Sequence, residues 1–129
     1  MRRVAVAAAL LCLALSGCSS DDPNTISMTA ARRYDPATLT VQVGSTVTWT
    51  NKSNEAHSVT AYESKIPEGA EYFSSSGYDS EEEARDHIEK LLTAGKTYSV
   101  RFDVAGTYQY FCIPHEDQGM TGTIVVEDR

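Results

Sequence analysis

The segment Phe111-Cys112-Ile113-Pro114-His115-Glu116-Asp117-Gln118-Gly119-Met120 sets a thiol, an imidazole and a thioether in the spacing Cys-x2-His-x4-Met. These are soft donors, and two His, one Cys and a weak axial Met form the set associated with blue copper electron transfer. The segment supplies one histidine, and the chain otherwise offers only His57 and His87. His57 stands in Asn51-Lys52-Ser53-Asn54-Glu55-Ala56-His57-Ser58-Val59, a turn-rich stretch after Trp49, where a ring at a strand end can meet the others. His87 lies between Asp86 and Glu89 in a charged stretch, where a solvated histidine needs no further explanation. The expected metal ligands are therefore His57, Cys112, His115 and Met120, with His87 on the surface.

Taken singly, each of these residues is ordinary. A free cysteine is commonly an inert core thiol, and a methionine commonly fills core space. Their joint spacing reverses that reading. A thiol hydrolase using Cys112 with a histidine base fits less well, because Cys-x-x-His on one loop is poor geometry and His57 is left idle. No enzyme activity is expected. A copper carrier or sensor that hands its metal over remains the alternative, since it can use the same ligands.

The elements around these residues are β-rich. Leu39, Val41 and Val43 alternate with Thr40 and Gln42, Gly44-Ser45 breaks the run, and Val47 and Trp49 alternate with threonines. Alternation returns in Tyr98-Val100-Phe102, at Tyr108 to Phe111, and at Thr123 to Val126. Such short strands favour an all-β, two-sheet sandwich. A strand end fixes Cys112, while Pro114 and Gly119 let the next loop fold back. One interval differs. Ser80 to Leu92 opens with Ser80, carries Glu81, Glu82 and Glu83 in its first turn, and repeats Ala84, Ile88, Leu91 and Leu92 at helical spacing. It predicts one short helix inserted between strands. Glu63 to Asp79, with Pro67, Gly69, Gly77 and consecutive serines, reads as an irregular connection.

The amino-terminal end points to export. Arg2 and Arg3 precede the apolar run Val4 to Leu15, which is shorter than the ~20 residues of a spanning helix. Leu15-Ser16-Gly17-Cys18 resembles a bacterial lipobox, so residues 1–17 are expected to be a signal peptide and Cys18 a lipidated residue. Residues 18–24 then form a polar tether, and 25–129 the domain. Removing 17 of the 129 residues leaves 112, and losing Arg2 and Arg3 takes the formal charge from −7 to −9. That charge disfavours nucleic acid and suits a basic protein partner. With Cys12 in the signal and Cys18 carrying lipid, Cys112 is an unpaired thiol in a compartment where disulfides normally form.

Several further segments carry a family likeness. Tyr34-Asp35-Pro36 precedes Leu39-Thr40-Val41; then come Val43-Gly44-Ser45-Thr46-Val47-Thr48-Trp49-Thr50-Asn51, Ala56-His57-Ser58-Val59, Cys112-Ile113-Pro114-His115 and Gly119-Met120. Together they resemble the plastocyanin-type cupredoxins, which include plastocyanins and halocyanins, over roughly Thr25 to Asp128. The resemblance implies a Greek-key β-sandwich holding one type 1 copper that cycles between Cu(I) and Cu(II). It implies Cys112 as thiolate, His57 and His115 as imidazole ligands, Met120 as the long axial ligand, and the His115 edge as the electron's exit. The sequence departs from plant-type plastocyanins at Phe111, where they carry tyrosine, and at Ala56, where proline often stands. The implied partners are redox proteins such as a c-type cytochrome or a membrane redox complex, met by a monomer tethered outside the cytoplasm. The acids Asp79, Glu81, Glu82, Glu83, Asp86 and Glu89 are either a docking face for such a partner or a solvated helix surface.

Overall fold

A computed structural model describes residues 23–128. The expected signal peptide and Cys18 lie outside the described residues. The strands are β1 (Thr25–Met28), β2 (Tyr34–Asp35), β3 (Thr38–Gln42), β4 (Ser45–Asn51), β5 (Thr60–Ala61), β6 (Thr97–Phe102), β7 (Gly106–Phe111) and β8 (Thr121–Glu127). One α-helix, α1 (Glu81–Asp86), lies between β5 and β6. One sheet has the order β2-β1-β4-β6 and the other β3-β8-β7-β5. This is the expected all-β Greek-key sandwich.

Both alternating pairs seen in the sequence are split between the sheets. β3 pairs in parallel with β8, whereas β4 pairs with β1 and β6. The Gly44 turn, at φ 89°, therefore carries the chain across the sandwich instead of closing a hairpin. Likewise β6 and β7 belong to different sheets, and β7 pairs with β8 and β5. Alternation fixes which residues face inward, but not which strand lies alongside.

The inward residues meet around Trp49, which is fully buried. Phe73, Tyr98, Phe102 and Tyr110 surround it with ring centroids 5.3 to 6.5 Å away. Ile26, Val47 and Ile124 complete this layer from both sheets. Burying each of the large side chains stabilises the fold by ~1.5–3 kcal/mol. The copper-ligand candidates lie at the end of this same cluster, because Cys112 and Met120 belong to it.

The inserted helix is shorter than its apolar spacing predicts. Ser80 caps it as expected, accepting a hydrogen bond from the Glu83 amide at 3.2 Å. The α-helix then stops at Asp86, and Ile88–Lys90 forms a separate 3-10 turn. Ile88 is 63% exposed, so its helical spacing marks no buried face. Leu92 is drawn into an antiparallel bridge with His57, and that tertiary pairing ends the helical run. His57 itself lies in this isolated bridge, ahead of β5.

Gly122 in β8 sits against the buried Tyr110 ring. A Cβ there would lie 2.3 Å from the ring's Cζ and hydroxyl. Gly122→Ala is expected to destabilise the metal-free domain by about 2 kcal/mol through overpacking, measured by urea unfolding. An unchanged midpoint would show that the ring can shift freely.

Candidate metal centre

Cys112 follows the last residue of β7, so its position is fixed by the β7–β8 ladder. Ile113–Gln118 then coils as a 3-10 turn with Pro114 in its first turn. Gly119, at φ 81°, closes the turn and donates to the carbonyl of Glu116 at 2.9 Å. The amide of Met120 donates to the His115 carbonyl at 3.2 Å, and the amide of Cys112 to the Met120 carbonyl at 3.0 Å. These local bonds bring the cysteine, histidine and methionine of the motif to one end of the sandwich.

His57 arrives from a different direction. Its amide donates to the Leu92 carbonyl at 3.0 Å, and the Leu92 amide returns a bond at 2.8 Å. The preceding loop is knitted by Asn51, which is buried. The Asn51 amide donates to the carbonyls of Glu55 at 2.7 Å and Leu92 at 2.9 Å. Its Oδ1 accepts from the Ser53 amide at 2.9 Å and hydroxyl at 2.8 Å. With its proton so engaged, the Ser53 hydroxyl accepts from His57 Nε2 at 2.9 Å. That contact sets the tautomer: Nε2 carries the proton and Nδ1 keeps a bare lone pair. Neither Asn51 nor Ser53 was singled out from the sequence. The turn-rich composition before His57 was the only signal for them.

The result is a compact, buried donor set. His57 Nδ1 and His115 Nδ1 are 3.1 Å apart. Cys112 Sγ lies 3.6 Å from the first and 3.4 Å from the second. Among the described residues, His57, Cys112 and His115 form the one cluster of His, Cys, Asp or Glu suited to a metal ion. Met120 is fully buried beside them in sequence and fold. His87 stands apart, bonded to Glu89 at 2.7 Å and stacked on Tyr78, as expected of a surface residue. His57 is wholly buried, while His115 keeps 7% of its surface exposed and so forms the outer edge of the centre.

Ser58 joins the two ligand-bearing segments. Its amide points at Cys112 Sγ at 3.4 Å, and its hydroxyl accepts from the Ile113 amide at 2.8 Å. Tyr34, also buried, donates to the Ser58 carbonyl at 2.5 Å. Burial pushes the Cys112 thiol up to about 11, against the smaller opposing effect of the Ser58 amide. Burial also lowers both imidazoles below their ordinary value; the neighbouring His115 adds to this for His57, and Arg32 for His115. Both rings are therefore neutral at pH 7. A raised thiol is the reverse of an activated nucleophile. Neutral imidazoles beside a buried sulfur form the soft site that suits copper, and the Glu55 carboxylate approaches only the other nitrogen of the His115 ring, Nε2, at 3.6 Å.

The model of the copper binding proteins of the plastocyanin/azurin family matches residues 23–127. The chain belongs to this family. It is similar to the plastocyanin of Scenedesmus fuscus, with 39% identity over 94 residues, which is 73% of this chain and 86% of that protein. The chloroplastic plastocyanin of Tetradesmus obliquus is 32% identical over 130 residues, covering 98% of this chain and 83% of its own. Among solved structures, an oxidized amicyanin variant superposes with a TM-score of 0.60 at 28% identity, over 84% of this chain and 87% of its own. Pseudoazurin from Methylobacterium extorquens, at 23% identity and a TM-score of 0.59 over 81% of this chain and 75% of its own, shares the fold. Family membership and the donor cluster make this a copper-binding electron carrier and not an enzyme.

The raised thiol gives a direct test of the geometry. Because only thiolate reacts, alkylation of Cys112 in native metal-free protein is expected to rise about tenfold per pH unit up to about pH 10. The denatured chain should level off near the ordinary value of ~8.5. A native curve that levels off there as well would show a solvent-open sulfur.

Proposed function

We propose that His57, Cys112, His115 and Met120 bind one type 1 copper ion, and that the protein carries single electrons between redox partners outside the cytoplasm. The observation that carries this reading is the convergence of two imidazole nitrogens on one buried sulfur from segments 55 residues apart. When bound, copper supplies the one-electron change between Cu(I) and Cu(II).

The chain's own residues do the rest. Cys112 would hold the ion as thiolate, giving up its proton, while the two histidines, whose burial favours the neutral form, would give up none. Ser53 keeps the His57 lone pair directed inward, and the Ser58 amide faces the sulfur, where it offsets negative charge. Full burial of Cys112 and Met120 excludes water from the donors. Strand ends and interlocked loops resist rearrangement, which favours rapid electron exchange. The partly exposed edge of His115 supports it as the point of electron exit.

The same burial disfavours the copper carrier, which needs an exchangeable metal. The acids of and around α1 give a basic redox partner, such as a c-type cytochrome, a complementary surface. Cys18, within its lipobox-like tetrapeptide, supports a lipid tether to the cell membrane for a domain that functions as a monomer. A single acyl chain binds only reversibly, so firm anchoring requires several.

An absorption spectrum of copper-loaded protein tests the centre. A strong visible thiolate band is expected, absent in Cys112→Ala, and a colourless copper-loaded wild type would refute the assignment. Met120→Gln should retain copper and lower the reduction potential, since a harder oxygen donor in place of the thioether would favour Cu(II). An unchanged potential would argue against Met120 as a ligand. For the tether, Cys18→Ser is expected to move the protein from the membrane fraction to the soluble extracytoplasmic fraction. Continued membrane association would count against lipid on that sulfur.

A further inference from the structure

Glu116 directly follows His115 and is held from outside the loop by two residues distant in sequence. Arg85, in the last turn of α1, grips it with a two-point fork: Nη1 to Oε2 at 2.6 Å and Nη2 to Oε1 at 3.2 Å. Tyr62, just after β5, donates its hydroxyl to Oε1 at 2.8 Å. Arg85 is in turn aimed by Glu81, one helical turn earlier, at 3.0 Å. Its guanidinium also lies over the Phe111 ring, 4.1 Å from the centroid, and that ring packs on Tyr62 at 4.4 Å.

Both anchor points adjoin donors of the metal centre. Phe111 precedes Cys112, and Glu116 follows His115. The loop between them is a 3-10 turn, whose internal hydrogen bonds are weaker than those of an α-helix. An external brace is therefore consequential. A forked, charge-assisted pair fixes direction as well as distance, and only arginine can make that fork while stacking on an aromatic ring. Glu116 accepts three hydrogen bonds in all, two from the arginine fork and one from Tyr62, so its direction is fixed from two sides.

We infer that Arg85 is a positioning residue for the metal centre: through Glu116 and Phe111 it braces the 112–115 arc so that His115 and Cys112 stay facing each other. This rests on the ligand assignment proposed above. The acidic helix and the copper loop are thereby one mechanical unit. A positioning role differs from general surface stabilisation, which would make unfolding easier without altering the folded centre.

The test compares copper-loaded wild type with Arg85→Gln, Arg85→Lys, Glu116→Gln and Glu82→Gln. The readouts are the visible thiolate bands, the rate at which Cu(I) passes to excess chelator, and the melting of metal-free protein. Arg85→Gln, Arg85→Lys and Glu116→Gln are each expected to release Cu(I) about tenfold faster and to shift the relative band intensities. Glu82→Gln, at an exposed position of the same helix outside the fork, should stay near wild type. Should Arg85→Gln fail to fold, Glu116→Gln removes the same contact from the loop side. A lower melting temperature with unchanged release and spectrum would overturn the inference. So would an Arg85→Lys variant matching wild type, which would reduce the residue to a point charge. A wild type lacking the thiolate band would sink the ligand assignment and this inference together, whereas a strong band with unchanged release in every variant sinks the inference alone.

Discussion

Two imidazole nitrogens held 3.1 Å apart beside a buried sulfur are the constraint that the surrounding structure maintains. Such an arrangement has little attraction of its own. Neutral rings and a protonated thiol gain weak hydrogen bonds there, and they lose water in being buried. Their proximity must be enforced from behind, and each donor has its own device for this. His57 has Ser53, Asn51 and the Leu92 bridge. Cys112 has the β7–β8 ladder and the Ser58 amide. His115 has a closed turn whose amides bond within the loop.

Charge is organised around the same end of the sandwich. Arg32 forks onto Glu55 with contacts of 2.9 and 2.7 Å, holding that carboxyl down at about 2, and also bonds the Gln118 side chain. Arg33 donates to the Gln118 carbonyl at 3.0 Å. The loop that carries His115 is thus tied on one flank to the β1–β2 turn and the His57 segment, and on the other to α1 through Arg85. Arginine at both ties is physically apt, because its planar fork orients what it holds. Surface ion pairs of this exposure add little to global stability, so their consequence lies in fixing the loop.

The acidic helix fits this organisation better than a free solvated face would. It is only Glu81–Asp86 long, too short to be stable by its own propensity, and it persists because Ser80 caps it and Ala84 is buried. Glu81 faces inward to orient Arg85, while the remaining acids face water. One short element therefore joins a structural contact to the copper loop with a charged surface available to a partner.

Much of this was legible in the chain. Cys-x2-His-x4-Met is a local pattern: a strand end, Pro114 and a left-handed Gly119 shape the turn, because its backbone bonds join residues close in sequence. Strand alternation likewise marked Val47, Trp49, Tyr108 and Tyr110 as candidates for one core, since inward facing depends on period alone. The sequence could not say that β3 and β4 lie in opposite sheets, that Leu92 leaves the helical run to pair with His57, or that Asn51, Ser53 and Arg85 serve the centre. Those contacts join residues whose separation along the chain carries no periodic signal, and they exist only once packing around Trp49 has set where each loop emerges. Composition and local spacing determined which atoms are available to a metal; the tertiary structure decided which of them meet, and what holds them there.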